Sequence, residues 1–177
     1  MTESPAGAEG MARQLIACCT EKRFTLALAE SCTAGLVSDL LARVSGASAV
    51  LWGSFVCYSP DAKQRMLGID KSFLEEHGLV SRETAREMAI HALELAGVSV
   101  AAAVTGIAGP LGDGSGTPVG TVWTAVSTRE YCREKELHFQ GTRAAIRIQA
   151  ASAVLEELLD LVLPKGLSEK LNFRATP

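Results

Sequence analysis

The sequence lacks any apolar run that approaches the roughly 20 residues a membrane-spanning helix needs. Its N-terminus lacks the basic region and apolar core of a secretion signal. It also lacks a basic excess, since 17 Lys and Arg stand against 20 Asp and Glu, for a formal net charge of −3. This balance gives no reason to expect nucleic acid or an anionic membrane surface as a partner.

Metal-ligand and disulfide spacings are missing as well. The five cysteines include no Cys-x-x-Cys pair and no His/Cys ligand pattern, and an odd number cannot pair completely within one chain. Cys32 and Cys57 have apolar neighbours, which favours buried free thiols in a reducing cytoplasm. We therefore predict a cytoplasmic protein with no metal site. The scattered histidines are predicted to be non-catalytic, and they are His77, His91 and His138.

The chain does contain the patterns of a single domain of alternating helices and strands. Its 177 residues, 47% of them hydrophobic, are enough for one sizeable core. No internal repeat or linker divides it, so we predict a flexible N-terminus over residues 1–9, one domain over 10–165 and a flexible tail over 166–177.

The predicted elements follow from hydrophobic period and turn residues. The strands are expected at 24–29, 50–58, 98–104, 119–127 and 135–140. The helices are expected at 11–21, 36–44, 60–68, 72–77, 81–96 and 142–163. Strands separated by helices favour parallel pairing, and the adjacent strands around residue 130 favour an antiparallel extension. The expected fold class is α/β, in three α/β/α layers: a mixed, mostly parallel sheet with helices on both faces.

The stretch Glu30-Ser31-Cys32-Thr33 lies where the first predicted strand runs into a helix. Ligands of open α/β sheets bind outside the carboxyl ends of strands, where amides at helix starts are unpaired. A Ser31 nucleophile would have the amides of Cys32 and Thr33 available to a developing oxyanion. The stretch is not a G-x-S-x-G elbow, and no Ser-x-x-Lys motif is present. The alternative is that Ser31 or Thr33 only caps the helix.

A second candidate pair follows the next predicted strand. Tyr58 ends that strand, and Lys63 follows in the first turn of the next helix. Either residue could carry protons, the lysine if burial lowers its pKa and the tyrosine through its phenol. The alternative is an interfacial tyrosine beside a solvated lysine.

Two further stretches could hold an anion. The loop from Thr105 to Pro118 is rich in glycine, which lets backbone amides approach a phosphate or an oxyanion closely. It is neither a P-loop nor a dinucleotide fingerprint, and a plain surface loop is the alternative. Arg143 and Arg147 lie four residues apart near the start of the last helix and could clamp a phosphate, or simply face solvent.

Several segments, taken in order, resemble one family, the CinA-like domain. They are AESCTAG, FVCYSPDAKQRMLGI, HGLVSRETAREMA, VTGIAGP and TPVGTVW, and the resemblance covers roughly residues 10–163. This domain is the C-terminal domain of competence/damage-inducible protein CinA and also occurs alone as a nicotinamide-nucleotide amidohydrolase. The larger protein's N-terminal domain has no counterpart here, so the chain resembles the stand-alone form. The resemblance implies hydrolysis of nicotinamide mononucleotide to nicotinate mononucleotide and ammonia, with no cofactor.

The resemblance also implies roles for individual residues. Ser31 would be the nucleophile, Lys63 or Tyr58 would carry its proton, and Thr105 would help the backbone amides to hold the oxyanion. The expected substrate-binding residues surround these four and are Glu30, Cys32, Thr33, Gly35, Gly106, Ala108, Gly109, Arg143 and Arg147. The phosphate of the substrate would rest on the 106–109 segment or on the two arginines.

Two functions of other classes stand beside this one. A non-catalytic nucleotide- or phosphate-binding regulatory module of the same fold would use the same residues without turnover. An assembly domain would pack the apolar helix at 142–163 across subunits, which makes a homo-oligomer a possible state.

Overall fold

The computed structural model describes residues 5–163. The predicted flexible tail over 166–177 lies outside the described residues, as do residues 1–4. The strands are β1 (Leu26–Glu30), β2 (Leu51–Val56), β3 (Val100–Gly106), β4 (Thr121–Ser127) and β5 (Cys132–His138). The helices are α1 (Pro5–Lys22), α2 (Leu36–Ala42), α3 (Pro60–Leu67), α4 (Lys71–His77), α5 (Arg82–Ala96) and α6 (Arg143–Val162).

The strands form one mixed sheet in the order β2-β1-β3-β4-β5. Strand β1 pairs in parallel with β2 and β3, whereas β4 is antiparallel to both β3 and β5. Four strands therefore point one way, and β4 alone runs against them. This arrangement confirms the predicted α/β fold with a mostly parallel sheet and an antiparallel extension.

Strand β1 is central, and it explains why the sheet has a core on each face. All five of its residues are buried. Leu26 and Leu28 belong to the core shared with α1, α2 and α6, while Ala27 and Ala29 belong to the core shared with α5. A strand covered on both sides must be apolar on both sides, which is why its sequence shows a run rather than an alternation.

Helix α1 begins at Pro5, so the predicted flexible N-terminus over residues 1–9 needs correction for residues 5–9. Ala8 and Ala12 are 1% and 0% exposed and continue the buried stripe of Leu15 and Cys19 toward the start of the chain. Residues spaced four, three and four apart lie on one helix face. The hydrophobic pattern does not predict this extension of the helix, because alanine contributes little hydrophobicity to the pattern.

The carboxyl ends of β1, β2 and β3 meet at one edge of the sheet. From β1 the chain moves to β2 on one side, and it later crosses over to β3 on the other. The crevice between the ends of β1 and β3 is therefore the point where the strand order reverses, which is the usual ligand site of such sheets.

Candidate active site

A pocket of about 210 Å³ opens in this crevice. Its walls come from segments that are far apart in the sequence. Among the predicted site residues, those that line it are Ser31, Cys32, Tyr58, Lys63, Thr105, Gly106, Ala108, Gly109 and Arg143. The fold thus gathers nine predicted residues around one space.

The centre of the site is a hydrogen-bonded lysine–serine pair. The Lys63 Nζ atom lies 2.9 Å from the Ser31 Oγ atom and 3.0 Å from the carbonyl oxygen of Cys57. Helix α3 aims the lysine inward: Ser59 caps its start by accepting the Ala62 amide, and Pro60 occupies its first position. As an ammonium, Lys63 donates to both oxygens; as a neutral amine, it can accept the Ser31 proton.

Burial sets the protonation of this pair. Lys63 is only 1% exposed. Because burial removes water from its amine, the pKa of Lys63 is lowered below the ordinary 10.5, although the nearby Cys57 and Cys32 partly oppose this shift. The same effect raises the pKa of Cys32 to about 11. The lysine is therefore driven toward the neutral base, while the cysteine is kept as a thiol. Ser31, rather than Cys32, has an activating partner.

Tyr58 lies at the rim of the pocket and takes a different part from the one expected. Its phenol oxygen accepts a hydrogen bond from the Arg143 Nη2 atom, and the residue is 54% exposed. Within residues 5–163, its hydroxyl makes no hydrogen bond with Ser31 or Lys63. Of the two predicted proton carriers, only Lys63 is in place to act on the serine.

The Thr105 hydroxyl is hydrogen-bonded within the protein. It donates to the carbonyl oxygen of Leu79 at 2.8 Å, and the residue is 1% exposed. Because a hydroxyl has a single hydrogen to donate, the Thr105 side chain has none left for an oxyanion while it bonds to Leu79, and its oxyanion role stays a prediction. Thr105 instead ties the segment carrying Leu79 and Val80 to the pocket wall, where both of those residues contribute.

The carboxylate of Glu30 also departs from its predicted role in substrate binding. It is fully buried and accepts from the amides of Gly35 (3.0 Å), Val37 (3.1 Å) and Ser38 (2.9 Å) at the start of α2. It accepts three hydroxyl donors too, namely Thr33, Ser38 and Ser54. The Glu30 carboxylate thus accepts the amides at the start of α2, whose N-cap residue is Gly35. The alternative in which Ser31 or Thr33 caps the helix is wrong.

Thr33, Gly35 and Arg147, three other predicted substrate-binding residues, lie outside the pocket lining. The Thr33 hydroxyl donates its hydrogen bond to the Glu30 carboxylate. Gly35 is the residue that precedes α2, and its φ is 91°. The Arg147 guanidinium donates to the carbonyl oxygens of Cys32 (3.2 Å) and Thr33 (2.5 Å). These residues shape the turn that carries the serine instead of facing a ligand.

Arg143 and Arg147 share a helix face, yet only Arg143 reaches the pocket. Its Nη1 atom donates to the carbonyl oxygen of Gly109 at 2.8 Å, and Nη2 donates to Tyr58. The arginine therefore spans the mouth of the pocket between the end of β2 and the glycine-rich loop.

Glycine is required at the end of β3 and in the loop that follows it, where the chain packs closely against Val122 of β4 and against Val119. A Cβ atom at Gly106 would lie 2.7 Å from Val122 Cγ2, and one at Gly109, where φ is 74°, would lie 2.5 Å from Val119 Cγ1. Both distances are too short for a real Cβ contact.

The same loop contributes Asp113 to the pocket lining, a residue that the sequence analysis does not single out. Hydrogen bonds from Ser115 lower the pKa of its carboxyl. Its position among the loop glycines was the available signal.

Between residues 5 and 163, no three His, Cys, Asp or Glu side chains come together as a metal site. No helix in that part of the chain combines the length and the apolar character needed to cross a membrane.

The fold and the site define a class: open α/β-sheet proteins with a candidate nucleophile at the strand switch point, here a serine beside a buried lysine. The chain belongs to the family described as the CinA C-terminal domain, whose family model matches residues 8–162.

Relatives and solved structures agree with this assignment. A CinA-like protein of Geobacter sulfurreducens is 46% identical over 138 residues, which is 78% of this chain and 33% of that protein. A competence/damage inducible protein from Agrobacterium tumefaciens is 38% identical with a TM-score of 0.87, covering 92% of this chain and all of that one. A CinA superfamily protein from Escherichia coli is 30% identical with a TM-score of 0.85, covering 91% and 94%. The chain spans about a third of the length of the curated relatives it matches.

Proposed function

We propose that the protein is a serine-dependent amidohydrolase that converts nicotinamide mononucleotide and water to nicotinate mononucleotide and ammonia. The observation that carries the proposal is the 2.9 Å contact between the Lys63 amine and the Ser31 hydroxyl inside a pocket. A lysine whose pKa is lowered by burial is a suitable base for a serine hydroxyl. The choice of nicotinamide mononucleotide as the substrate comes from the resemblance to stand-alone amidohydrolases of the family.

The reaction follows from that pair. The Ser31 oxygen attacks the carboxamide carbon while the neutral Lys63 amine takes the hydroxyl proton, and the amides of Cys32 and Thr33 stabilise the oxyanion. Lys63 returns the proton as the carbon–nitrogen bond breaks, so that ammonia leaves and a nicotinoyl ester remains on Ser31. Water then attacks the ester with Lys63 again as base, which frees the product and restores the serine. One oxyanion donor is worth about 2.7–4 kcal/mol in such reactions.

The size of the pocket supports a placement for the rest of the substrate. Its volume of about 210 Å³ is below the roughly 300–1,000 Å³ of typical ligand pockets. We place the pyridine ring and part of the ribose inside, and the phosphate at the open rim. Arg143 is exposed, lines the pocket at that rim, and carries a guanidinium that suits a phosphate. Arg147 lies outside the pocket lining.

The test is ammonia release from nicotinamide mononucleotide, nicotinamide riboside and nicotinamide. We expect turnover of the mononucleotide that disappears in Ser31→Ala and persists in Ser48→Ala, because Ser48 is exposed and away from the pocket. Equal rates in Ser31→Ala and the unaltered protein would remove the serine from the mechanism. Binding of the nucleotide without ammonia release would instead favour the non-catalytic binding module.

A further inference from the structure

The turn between β1 and α2 holds an unusual backbone. Ala34 has a φ of 51° and Gly35 a φ of 91°, and non-glycine residues rarely adopt the left-handed region. Such conformations persist where the surrounding contacts over-determine them, and they cluster at functional sites. The turn carries Ser31, so the contacts that hold it also hold the candidate nucleophile.

One end of the turn is held by Glu30. Its Oε2 atom accepts from the Thr33 hydroxyl at 2.8 Å and from the Gly35 amide at 3.0 Å. The carboxylate is fully buried, and its donors come from the turn, from α2 and, across the sheet, from Ser54 of β2. An anion with this many donors fixes the path of the chain after the serine.

The other end is held by Arg147, which reaches across from α6. Its Nε atom donates to the Cys32 carbonyl at 3.2 Å and its Nη2 atom to the Thr33 carbonyl at 2.5 Å. The forked guanidinium spans two successive carbonyls, which a lysine ammonium of the same reach cannot reproduce.

These contacts determine where the amide hydrogens point. In a trans peptide, the carbonyl and the amide of one plane point in opposite directions. The Cys32 carbonyl faces Arg147, so the Thr33 amide faces away from it. The Ser31 carbonyl accepts the Ala34 amide at 3.1 Å, so the Cys32 amide faces away from Ala34. Within residues 5–163, neither of these two amides donates a hydrogen bond to another residue.

We infer that Arg147 and Glu30 are positioning residues that clamp the Ser31 turn and direct the Cys32 and Thr33 amides for the oxyanion. The inference rests on the proposed hydrolase function and deepens it. It separates the two arginines of α6: Arg143 serves the phosphate, and Arg147 serves the turn.

The kinetic test compares Arg147→Lys with Arg143→Lys on nicotinamide mononucleotide and on nicotinamide riboside, which lacks the phosphate. A displaced turn costs transition-state stabilisation, so Arg147→Lys should lower kcat at least about tenfold on every substrate turned over, with KM within about twofold. Arg143→Lys should mainly raise KM for the phosphorylated substrate. The exposed Arg13→Lys is the matched control and should change neither.

An Arg147→Lys enzyme with an unchanged kcat, or one whose KM rises only for the mononucleotide, would overturn the inference. Circular dichroism and the unfolding midpoint show whether each variant is folded. Glu30→Asp keeps the charge but shortens the reach of the carboxylate, so a folded Glu30→Asp protein should show the same loss of kcat. If Glu30→Asp does not fold, Arg147→Lys, whose site is only half-buried, provides the test alone.

A second readout separates failure of the inference from failure of the proposed function. A fluorophosphonate probe phosphonylates reactive serines: the serine oxygen displaces fluoride from phosphorus, and negative charge develops on the phosphoryl oxygen as on the oxyanion of an acyl transfer. The probe needs no nucleotide. We expect the probe to modify Ser31 in the unaltered protein and to react at least about tenfold more slowly in Arg147→Lys. Equal labelling rates would overturn the positioning role. Labelling that slows as expected while no ammonia is released would sustain that role and reject the proposed substrate.

Discussion

The protonation state of Lys63 determines the pH range in which the proposed active site can work. Only the neutral amine accepts the Ser31 proton, so kcat/KM should rise with pH as Lys63 loses its proton. Burial lowers its pKa below 10.5, so the rise should be complete at a lower pH than an exposed lysine would allow. Measuring kcat/KM for ammonia release from pH 5 to 10 gives the limiting pKa of the free enzyme. A kcat/KM that still rises tenfold per pH unit up to pH 10, as a base with a pKa at or above 10.5 requires, would contradict the role of Lys63 as the base.

Single residues also show how far the sequence could define the site. The strand-to-turn position and the family motifs select Ser31 and Lys63, and the structure brings the two side chains within 2.9 Å of each other. The choice between Lys63 and Tyr58 depends on where side chains from two elements end, which no local pattern records. Glu30 is predicted to bind substrate because a charged residue beside a candidate nucleophile suggests a ligand contact. Only the fold shows that six internal donors surround its carboxylate.

At the scale of elements, glycine at two positions has opposite consequences. Gly10 lies inside α1 with nothing within 4 Å of an added Cβ, so Gly10→Ala should raise the free energy of unfolding by about 0.5–1 kcal/mol. Gly106 lies in β3, where a Cβ would meet Val122 Cγ2 at 2.7 Å and the Thr121 carbonyl at 2.8 Å. Gly106→Ala should therefore lower the free energy of unfolding, because β3 and β4 must move apart to make room for the methyl group.

Urea unfolding of both variants gives these free energies, with the unaltered protein as reference. The Gly10→Ala result tests the length of α1 in particular. A helix that began near Met11, as the hydrophobic period predicted, would leave residue 10 outside it and the substitution without effect. A Gly106→Ala protein as stable as the unaltered one would show that β4 does not pack as closely as the structure indicates.

At the scale of the whole molecule, the layers were easier to predict than their contacts. Hydrophobic period located the five strands and the long helices, because each must bury a face against another layer. The strand order was not predicted, since it depends on which alanine-rich faces pack together. Small residues at Ala101 and Ala103 belong to the α5 core and carry little information about their partner until the sheet is assembled.

The layers on one side of the sheet meet around a buried acid. Glu157 of α6 is 3% exposed, and its Oε1 atom accepts the Thr124 hydroxyl of β4 at 2.8 Å. Its Oε2 atom has no partner within the described chain. Burial raises the pKa of this carboxyl above the ordinary 4.5, although Thr124, Lys135 and Arg133 oppose the shift. The folded protein thus favours the neutral acid more strongly than the unfolded chain does.

That preference makes global stability depend on pH in a definite direction. A folded pKa above the unfolded value gives stability that is full below pH 4.5 and is lost as pH rises through the raised folded pKa. Glu157→Gln cannot ionise, so it should match the unaltered protein near pH 4 and exceed its unfolding free energy at pH 8. Urea unfolding across that range, beside the exposed neighbour variant Glu156→Gln, measures the difference. A gap between Glu157→Gln and the unaltered protein that stays constant with pH would mean that Glu157 ionises as easily in the folded state as in the unfolded one, and that the interface between α6 and the sheet admits water.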